Sequence, residues 1–196
     1  MSRDGPEEPG AGAVVLVEGE SDAVVVRTLL ERRLVSAEVV SMGGVTNLAR
    51  HLEGLGGPGP GVFALVDAAE VRFATGALRR HGIHAESAEQ LAWHGVFVCD
   101  RDLEDVLIRA LGADVVRDEL AGMAELSGFT TFAQMPQWRG RPVTDQLHRF
   151  AGSGSGRKLR LAGRLAARLD PAALPDPIDG LVDAVAARTG AGGWTG

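Results

Sequence analysis

Four short apolar runs, each followed by a stretch with helical periodicity, constrain the fold of this chain more than any other feature of its sequence. The runs lie at residues 13–17, 37–42, 62–66 and 93–99. They have the length of strands, and continuous apolar runs are typical of strands buried on both faces. Because strands that alternate with helices form parallel sheets covered by those helices, the pattern predicts an α/β fold. We expect about four parallel strands with helices on both faces.

The segments between the runs carry helix signals and set the predicted domain boundaries. Helices are predicted at about 21–33, 45–55, 69–81 and 103–111, and Ser21 is expected to cap the first of them. From about residue 112 onward the pattern is helical and contains no convincing strand. We therefore predict a disordered lead, an α/β core, a helical extension and a flexible tail, at residues 1–12, 13–111, 112–190 and 191–196.

Composition argues against several classes of protein. No apolar run reaches the roughly 18 residues of a membrane-spanning helix, and the polar first residues lack the apolar region of a signal peptide. Cys99 is the only cysteine, so no internal disulfide can form, and a reducing cytoplasm is the simplest setting. Because Cys99 ends an apolar run, it is expected in the core. The absence of a Cys/His cluster argues against zinc.

Acidic residues follow three of the four predicted strands. Ligands of open parallel sheets bind outside the carboxyl ends of the strands, so these acids are expected to converge on one cleft. Carboxylates that are brought together repel each other, and a divalent cation relieves that repulsion. Oxygen ligands without His or Cys favour Mg²⁺ or Mn²⁺ over zinc. The acids are Glu18 and Asp22 after the first strand, Asp67 and Glu70 after the third, and Asp100, Asp102, Glu104 and Asp105 after the fourth.

The order of these motifs resembles that of the toprim domain, and more narrowly that of the toprim domain in OLD-family (overcoming lysogenisation defect) nucleases. The matching stretches are VLVEGESD at 15–22, the Gly43-Gly44 turn, LVDAAE at 65–70 and DLED at 102–105. The resemblance covers roughly residues 14–111. It implies a Rossmann-like toprim fold and metal-dependent cleavage of phosphodiester bonds.

The resemblance also implies roles for individual acids. Glu18 is similar to the leading glutamate, a metal ligand or base, and Asp67 to the first aspartate of the family's D-x-D motif. The second aspartate of that motif is Ala69 here, which leaves open whether one ion binds or two. Glu70 is a candidate substitute ligand, although a helical neighbour of residue 69 points about 100° away. The full set of implied metal ligands is Glu18, Asp22, Asp67, Asp102 and Glu104.

Lys158 is the only lysine in a sequence that is rich in arginine. Helical spacing places it beside Leu165 and Leu169 on an apolar face, where an ammonium group needs an anion. The acidic cleft or a substrate phosphate could supply that anion; the alternative is that the side chain extends to solvent. OLD-family toprim domains carry a lysine beyond the last acidic motif, which is thought to stabilise the transition state. The resemblance therefore implies that Lys158 is catalytic together with Glu18.

Basic residues concentrate in the segment 139–169, which carries +7 in a chain whose net charge is −6. Trp138 lies beside this segment and either stacks a nucleic-acid base or packs within the protein. Four arginines of the segment fall on one helical stripe, which is predicted to contact nucleic acid. They are Arg157, Arg160, Arg164 and Arg168.

These expectations combine into a metal-dependent endonuclease that acts on nucleic acid, with DNA favoured over RNA. OLD-family nucleases usually carry an ATPase domain, but this sequence has no G-x-x-x-x-G-K-[ST] motif. We therefore expect the chain to act alone or with a separate ATPase partner. One alternative is a catalytically weakened toprim module that binds metal, nucleic acid or the ATPase without efficient cleavage. Another is a different toprim chemistry such as nucleotidyl transfer, whereas a topoisomerase is disfavoured because the chain has no tyrosine.

Overall fold

The strands of this protein form one parallel sheet. The computed structural model describes residues 12–154 and 156–190, and within them the strand order is β2-β1-β3-β4. The predicted tail, and all but the last residue of the predicted lead, lie outside the described residues. The predicted α/β fold with a four-stranded parallel sheet is confirmed. The strands are β1 (Ala13–Val17), β2 (Ala37–Ser41), β3 (Val62–Asp67) and β4 (Val96–Cys99).

Helices follow the strands and are connected by loops. Four lie between or beside the strands: α1 (Glu20–Arg32), α2 (Leu48–Gly54), α3 (Val71–Arg79) and α4 (Ala88–Trp93). Single 3₁₀ turns, Val45–Asn47 and Ala68–Glu70, precede α2 and α3. The remaining helices are α5 (Leu103–Gly122), α6 (Leu126–Ala133), α7 (Val143–Ala151), α8 (Arg157–Arg168) and α9 (Ile178–Thr189).

The sheet is buried on both faces, which explains why its strands read as continuous apolar runs. Side chains of successive strand residues point to opposite faces. Val15 and Val17 therefore join a core formed with α1, α5, α8 and α9, whereas Leu16 joins a second core formed with α2, α3 and α4. All three side chains are fully buried, and each contributes about 1.5–3 kcal/mol by leaving water.

The helical part of the chain is not separate from the sheet. Leu161 and Leu165 of α8 belong to the same core as Val25 and Leu29 of α1. The first helix after β4, α5, crosses the predicted domain boundary, and its backbone is interrupted there at Gly112, where φ is 79°. The division of the chain into domains at this point stays a prediction. Among the described residues, no helix combines the length and the apolar character needed to cross a membrane.

The strand order makes the carboxyl ends of β1 and β3 a topological switch point, which we call the cleft between β1 and β3. The chain leaves β1 through α1 on one face of the sheet and later leaves β3 through α3 on the other face. The two strands are hydrogen-bonded neighbours, with Val17 opposite Leu65. Because their following segments diverge, the carboxyl ends of β1 and β3 border the crevice where ligands of such sheets bind.

The fourth strand begins three residues later than the predicted start at residue 93. Residues 88–93 form α4, which begins after Ser87, whose hydroxyl accepts a hydrogen bond from the Gln90 backbone N–H. Gly95 then turns the chain at a φ of 77°, and a Cβ there would lie 2.6 Å from the Val62 carbonyl oxygen. The turn requires glycine, so the strand begins only at Val96. Trp93 ends the helix with 71% of its surface exposed.

Candidate metal centre

Three carboxylates meet at the cleft between β1 and β3. Glu18 directly follows β1, Asp67 is the last residue of β3, and Glu70 ends the 3₁₀ turn after β3. One carboxylate oxygen of each lies within 4.8 Å of the other two. We call Glu18, Asp67 and Glu70 the acidic triad. Their spacing is short enough for one divalent cation to contact all three side chains.

Glu70 reaches the triad because the chain after β3 forms a 3₁₀ turn rather than an α-helix. A 3₁₀ helix has three residues per turn, so side chains three positions apart are aligned. Asp67 and Glu70 are three positions apart, whereas Ala69 is exposed to solvent. The offset of about 100° for an α-helical neighbour therefore does not apply to Glu70, which keeps its place as the candidate substitute ligand. Glu70 thus supplies the third carboxylate of the cluster.

The chemistry of the triad fits a divalent cation. The Oε2 atom of Glu70 is buried and has no hydrogen-bond partner among the described residues. A buried acceptor without a partner costs about 1–3 kcal/mol, and more when it is charged. A bound cation would remove that cost and the repulsion between the carboxylates. The donor set contains only carboxylate oxygens, which hard cations prefer.

Burial and the neighbouring acids act on the pKa values of two triad members, Asp67 and Glu70. The pKa of Asp67 is raised to about 7, first by burial and then by the charges of Asp102, Asp22, Glu18 and Glu70. The pKa of Glu70 is also raised to about 7, first by burial and then by the adjacent Glu18 carboxyl group. Both acids thus hold their protons far more strongly than ordinary carboxyl groups, as expected where a compensating cation belongs.

The other three predicted ligands lie at the same edge of the sheet, but they already have partners. We call Asp22, Asp102 and Glu104 the paired acids. Oδ2 of Asp22 accepts a hydrogen bond of 3.0 Å from the backbone N–H of Gly19, which is the residue before α1. The predicted cap by Ser21 is therefore wrong: α1 already includes Ser21, whose hydroxyl donates to Oδ1 of Asp22 at 3.5 Å. Burial raises the pKa of Asp22. The charge of the nearby Lys158 partly offsets this increase.

Asp102 is engaged through both of its oxygens. Oδ1 caps α5 by accepting a hydrogen bond of 2.9 Å from the Asp105 backbone N–H. Oδ2 lies 2.6 Å from Nε2 of His148 on α7. Burial acts to raise the pKa of Asp102, but the His148 contact and the cap outweigh it, so the pKa is lower than usual.

Glu104 is paired with the single lysine of the chain. The Lys158 ammonium nitrogen lies 3.1 Å from Oε1 of Glu104, whose side chain is 11% exposed. Burial acts to lower the pKa of Lys158, but the attraction of Glu104, and then of Asp22 and Asp102, raises it above its usual value. Burial dominates for Glu104, whose pKa is raised although Lys158 opposes the shift. The sequence left two anions open for Lys158, a carboxylate of the acidic cleft or a substrate phosphate. The structure shows the carboxylate of Glu104 in contact with it.

His148 is a site residue that the sequence analysis missed. Its partner Asp102 lies 46 positions earlier in the chain, and the surrounding sequence, QLHRF, contains no spacing that indicates a shared site. Only the packing of α7 against α5 brings the two side chains together.

The predicted arginine stripe is occupied by contacts within the chain. Arg157 and Arg160 pair with Glu125 at 2.9 and 3.1 Å, and Arg164 and Arg168 pair with Glu119 at 2.6 and 2.7 Å. Arg157 is only 14% exposed and also covers the Phe150 ring. These pairs hold α8 against α5 and the start of α6, and contact with nucleic acid stays a prediction.

Trp138 and Cys99 pack against other parts of the protein. Trp138 stacks on Phe132, with ring centroids 5.2 Å apart, and the Arg141 guanidinium lies over its ring. Of the two interpretations of Trp138, packing within the protein describes these contacts. Cys99 is fully buried in the core, as predicted.

Comparison with known proteins identifies the fold. No family model matches the sequence, and no curated protein matches it. Among solved structures, the C-terminal region of the Burkholderia pseudomallei OLD protein is 19% identical, with a TM-score of 0.64 over 91% of this chain and 98% of that one. The C-terminal region of the Xanthomonas campestris pv. campestris OLD protein is 21% identical, with a TM-score of 0.61 over 91% of this chain and 95% of that one. The resemblance predicted from the sequence is confirmed at the level of fold.

Proposed function

Because this chain has the fold of the C-terminal regions of OLD proteins, we propose that it is a metal-dependent nuclease of the toprim/OLD type, which hydrolyses phosphodiester bonds in nucleic acid. The observation that carries the proposal is the acidic triad. Three carboxylates converge at the cleft between β1 and β3, and one buried oxygen of Glu70 has no partner among the described residues.

The triad would hold Mg²⁺ or Mn²⁺ through Glu18, Asp67 and Glu70. When bound, such an ion polarises the phosphate and lowers the pKa of water at the site. Glu18 lies at the mouth of the cleft and can also act as a base. Lys158 is 47% exposed while its ammonium group is held by Glu104, so it can donate to a phosphate oxygen and stabilise the charge that develops there.

The nucleic-acid substrate is proposed to lie along the edge that carries the triad and Lys158, with DNA favoured over RNA. Arg160, Arg164 and Arg168 are each about half exposed. A guanidinium has five N–H donors, so an arginine that is paired within the chain can still bind a phosphate. Arg157 is too deeply buried to make that contact well. The sequence contains no phosphate-binding loop for ATP, so a separate ATPase is the proposed partner.

Plasmid nicking tests the proposal. We expect wild-type protein to nick supercoiled DNA with Mg²⁺ or Mn²⁺ and not with EDTA, and we expect Glu18→Gln to abolish nicking because it removes a charged ligand and base. Glu20→Gln is the matched control, since Glu20 lies two residues away and is exposed. Nicking that persists at full rate in Glu18→Gln, or in EDTA, would contradict a metal-dependent mechanism at this site.

Ala69 favours a second candidate, a module that binds metal or nucleic acid without efficient cleavage. The nuclease requires a working carboxylate from the 3₁₀ turn, which Glu70 would supply, whereas the non-cleaving module does not. If Glu70 replaces the missing aspartate, Glu70→Ala should lose cleavage, and Ala69→Asp should change it less than about twofold, because Ala69 faces solvent. If Ala69 is a disabling substitution, wild-type cleavage should be very slow and Ala69→Asp should increase it at least about tenfold, a barrier change of roughly 1.4 kcal/mol. Cleavage rates with Mg²⁺ and Mn²⁺ separate the two.

A further inference from the structure

A groove begins beside the acidic triad, on the face of the sheet opposite the helix that carries Lys158. One wall is the 3₁₀ turn Val45–Asn47 with the start of α2, and the other wall is α3. The first wall starts at the triad because the Gly44 N–H, just before the turn, donates to the Glu18 carbonyl oxygen at 3.0 Å. The second starts there because α3 directly follows Glu70. We call this feature the α2–α3 groove.

Two arginines lie along the groove. Arg72, Gly76 and Arg80 line it at a spacing of four residues, which places them on one ridge of α3 and the residue that follows it. Eight positions correspond to about 12 Å along a helix, so the two arginines can contact different phosphates of one nucleic-acid strand. The volume of the groove is about 160 Å³, below the roughly 300–1,000 Å³ of sites that enclose a small molecule. The groove therefore suits a strand backbone better than an enclosed base.

The charges of both arginines are available to a ligand. Arg72 is exposed, and within the described residues its guanidinium stacks over the Phe73 ring, 4.8 Å from the centroid, without an ion pair. Stacking uses the flat face of the guanidinium and leaves its in-plane N–H groups for a phosphate. Arg80 pairs with Glu53 at 3.3 Å, but both side chains are exposed, and such pairs open at little cost. The arginines of α8, in contrast, pair with glutamates that are largely buried.

Packing does not require the glycine at position 76. Gly76 lies inside α3, where glycine is less favourable than alanine. Among the described residues, no atom lies within 4 Å of the position that a Cβ would take. Glycine therefore leaves open space between Arg72 and Arg80, on the side of the helix that faces the groove.

We propose that one strand of the nucleic-acid substrate runs from the acidic triad into the α2–α3 groove, where Arg72 and Arg80 bind its phosphates. Lys158 contacts the strand on the other side of the triad, so the scissile phosphate lies between two cationic sites. The inference rests on the proposed function and identifies the surface that positions its substrate.

Binding of fluorescent DNA and RNA oligonucleotides, measured by anisotropy in Ca²⁺, tests the inference without cleavage. Arg72→Gln should weaken binding at least about fivefold and reduce the slope of log K against log salt by about 0.7–0.9, the share of one phosphate contact. Gly76→Glu, which puts a carboxylate between the two arginines, should weaken binding at least about tenfold by repelling the phosphates. Thermal denaturation should show Gly76→Glu to be at least as stable as the wild type, because glutamate favours helix and nothing packs at this position.

The matched control is Arg188→Gln, which removes one exposed arginine at the opposite edge of the sheet. Nε of Arg188 donates to the Pro60 carbonyl oxygen at 3.1 Å, in the loop before β3. Its replacement should change Kd by less than about twofold, because no phosphate contact is expected there.

The outcomes separate the inference from the proposed function. If Arg72→Gln and Gly76→Glu bind as tightly as the wild type, the groove is not the substrate path, and metal-dependent hydrolysis at the triad is unaffected. An equal loss in Arg188→Gln would also overturn the inference, because binding would then follow net charge alone. A wild-type protein that neither binds nor nicks nucleic acid would overturn both the inference and the function from which it starts.

Discussion

At the scale of single residues, the site depends on which carboxylates have partners. Glu70 has a buried oxygen with no partner among the described residues, whereas Glu104 is held by Lys158 and Asp102 by His148. Chemically identical groups thus have different roles because their surroundings differ. The roles of these groups rest on the proposed function, as does the requirement for a lysine at position 158.

Lys158→Arg should reduce turnover at least about tenfold, which corresponds to roughly 1.4 kcal/mol of transition-state stabilisation. In the proposed mechanism the compact ammonium would fit between Glu104 and a phosphate, whereas a planar guanidinium spreads its charge and needs more room. Single-turnover cleavage measures the effect, and Kd for DNA in Ca²⁺ should change much less.

The control for this prediction is Arg160→Lys, an exchange of the same two residue types on the same helix. Arg160 is about half exposed and pairs with Glu125, so turnover should stay near the wild-type value. If Lys158→Arg cleaved at the wild-type rate, a lysine would not be specifically required.

At the scale of secondary-structure elements, α8 has two faces with different partners. Its apolar face packs on α1 and α5 through buried residues such as Leu161 and Leu165. Its arginines pair with Glu119 and Glu125, which belong to α5 and to the position before α6. Lys158, in the first turn of α8, then points to the acidic edge. The ion pairs therefore help to position the proposed catalytic lysine.

Glu119→Gln should destabilise the fold by about 1–2 kcal/mol. The Glu119 side chain is 9% exposed and holds both Arg164 and Arg168, which are 45% exposed and so partly screened by water. Urea denaturation with a shared slope measures the loss.

The exposed pair of Glu53 and Arg80, 3.3 Å apart, provides the comparison. Glu53→Gln should cost no more than about 0.5 kcal/mol, because surface pairs contribute little. Equal effects of the two substitutions would show that the α8 pairs are not a structural element of the fold.

At the scale of the whole molecule, the acidic edge places a cost on the folded state that a cation would remove. The pKa values of Asp67 and Glu70 are raised to about 7 from ordinary values near 4. Between these limits the folded state binds more protons than the unfolded state, so stability decreases as the pH rises. Asp67 and Glu70 therefore favour folding at low pH and oppose it above neutrality unless a cation is bound.

The metal-free protein should therefore lose thermal stability as the pH rises from about 4.5 to about 7.5, and Glu70→Gln should flatten part of this dependence. Adding Mn²⁺ at pH 8 should raise Tm. An ion present at 100 times its Kd adds about 2.7 kcal/mol to the free energy of unfolding. Thermal denaturation followed by circular dichroism, with EDTA or Mn²⁺, measures both effects. Stability that rises steadily across this pH range in EDTA would mean that burial and repulsion do not destabilise the charged forms of Asp67 and Glu70.

The sequence by itself determined the α/β class, the four parallel strands and the edge at which the acids lie, because these follow from apolar periodicity and from the geometry shared by all parallel sheets. Residues Glu18 and Asp67 could be singled out since they directly follow predicted strands. Local backbone geometry could not be read in the same way: the 3₁₀ turn that brings in Glu70 and the turn at Gly95 depend on hydrogen bonds and close contacts within the fold. The partners of the charges were decided only by tertiary structure. His148 meets Asp102 across 46 positions, and Arg164 meets Glu119 across 45, because helix packing, which no local pattern encodes, sets those distances.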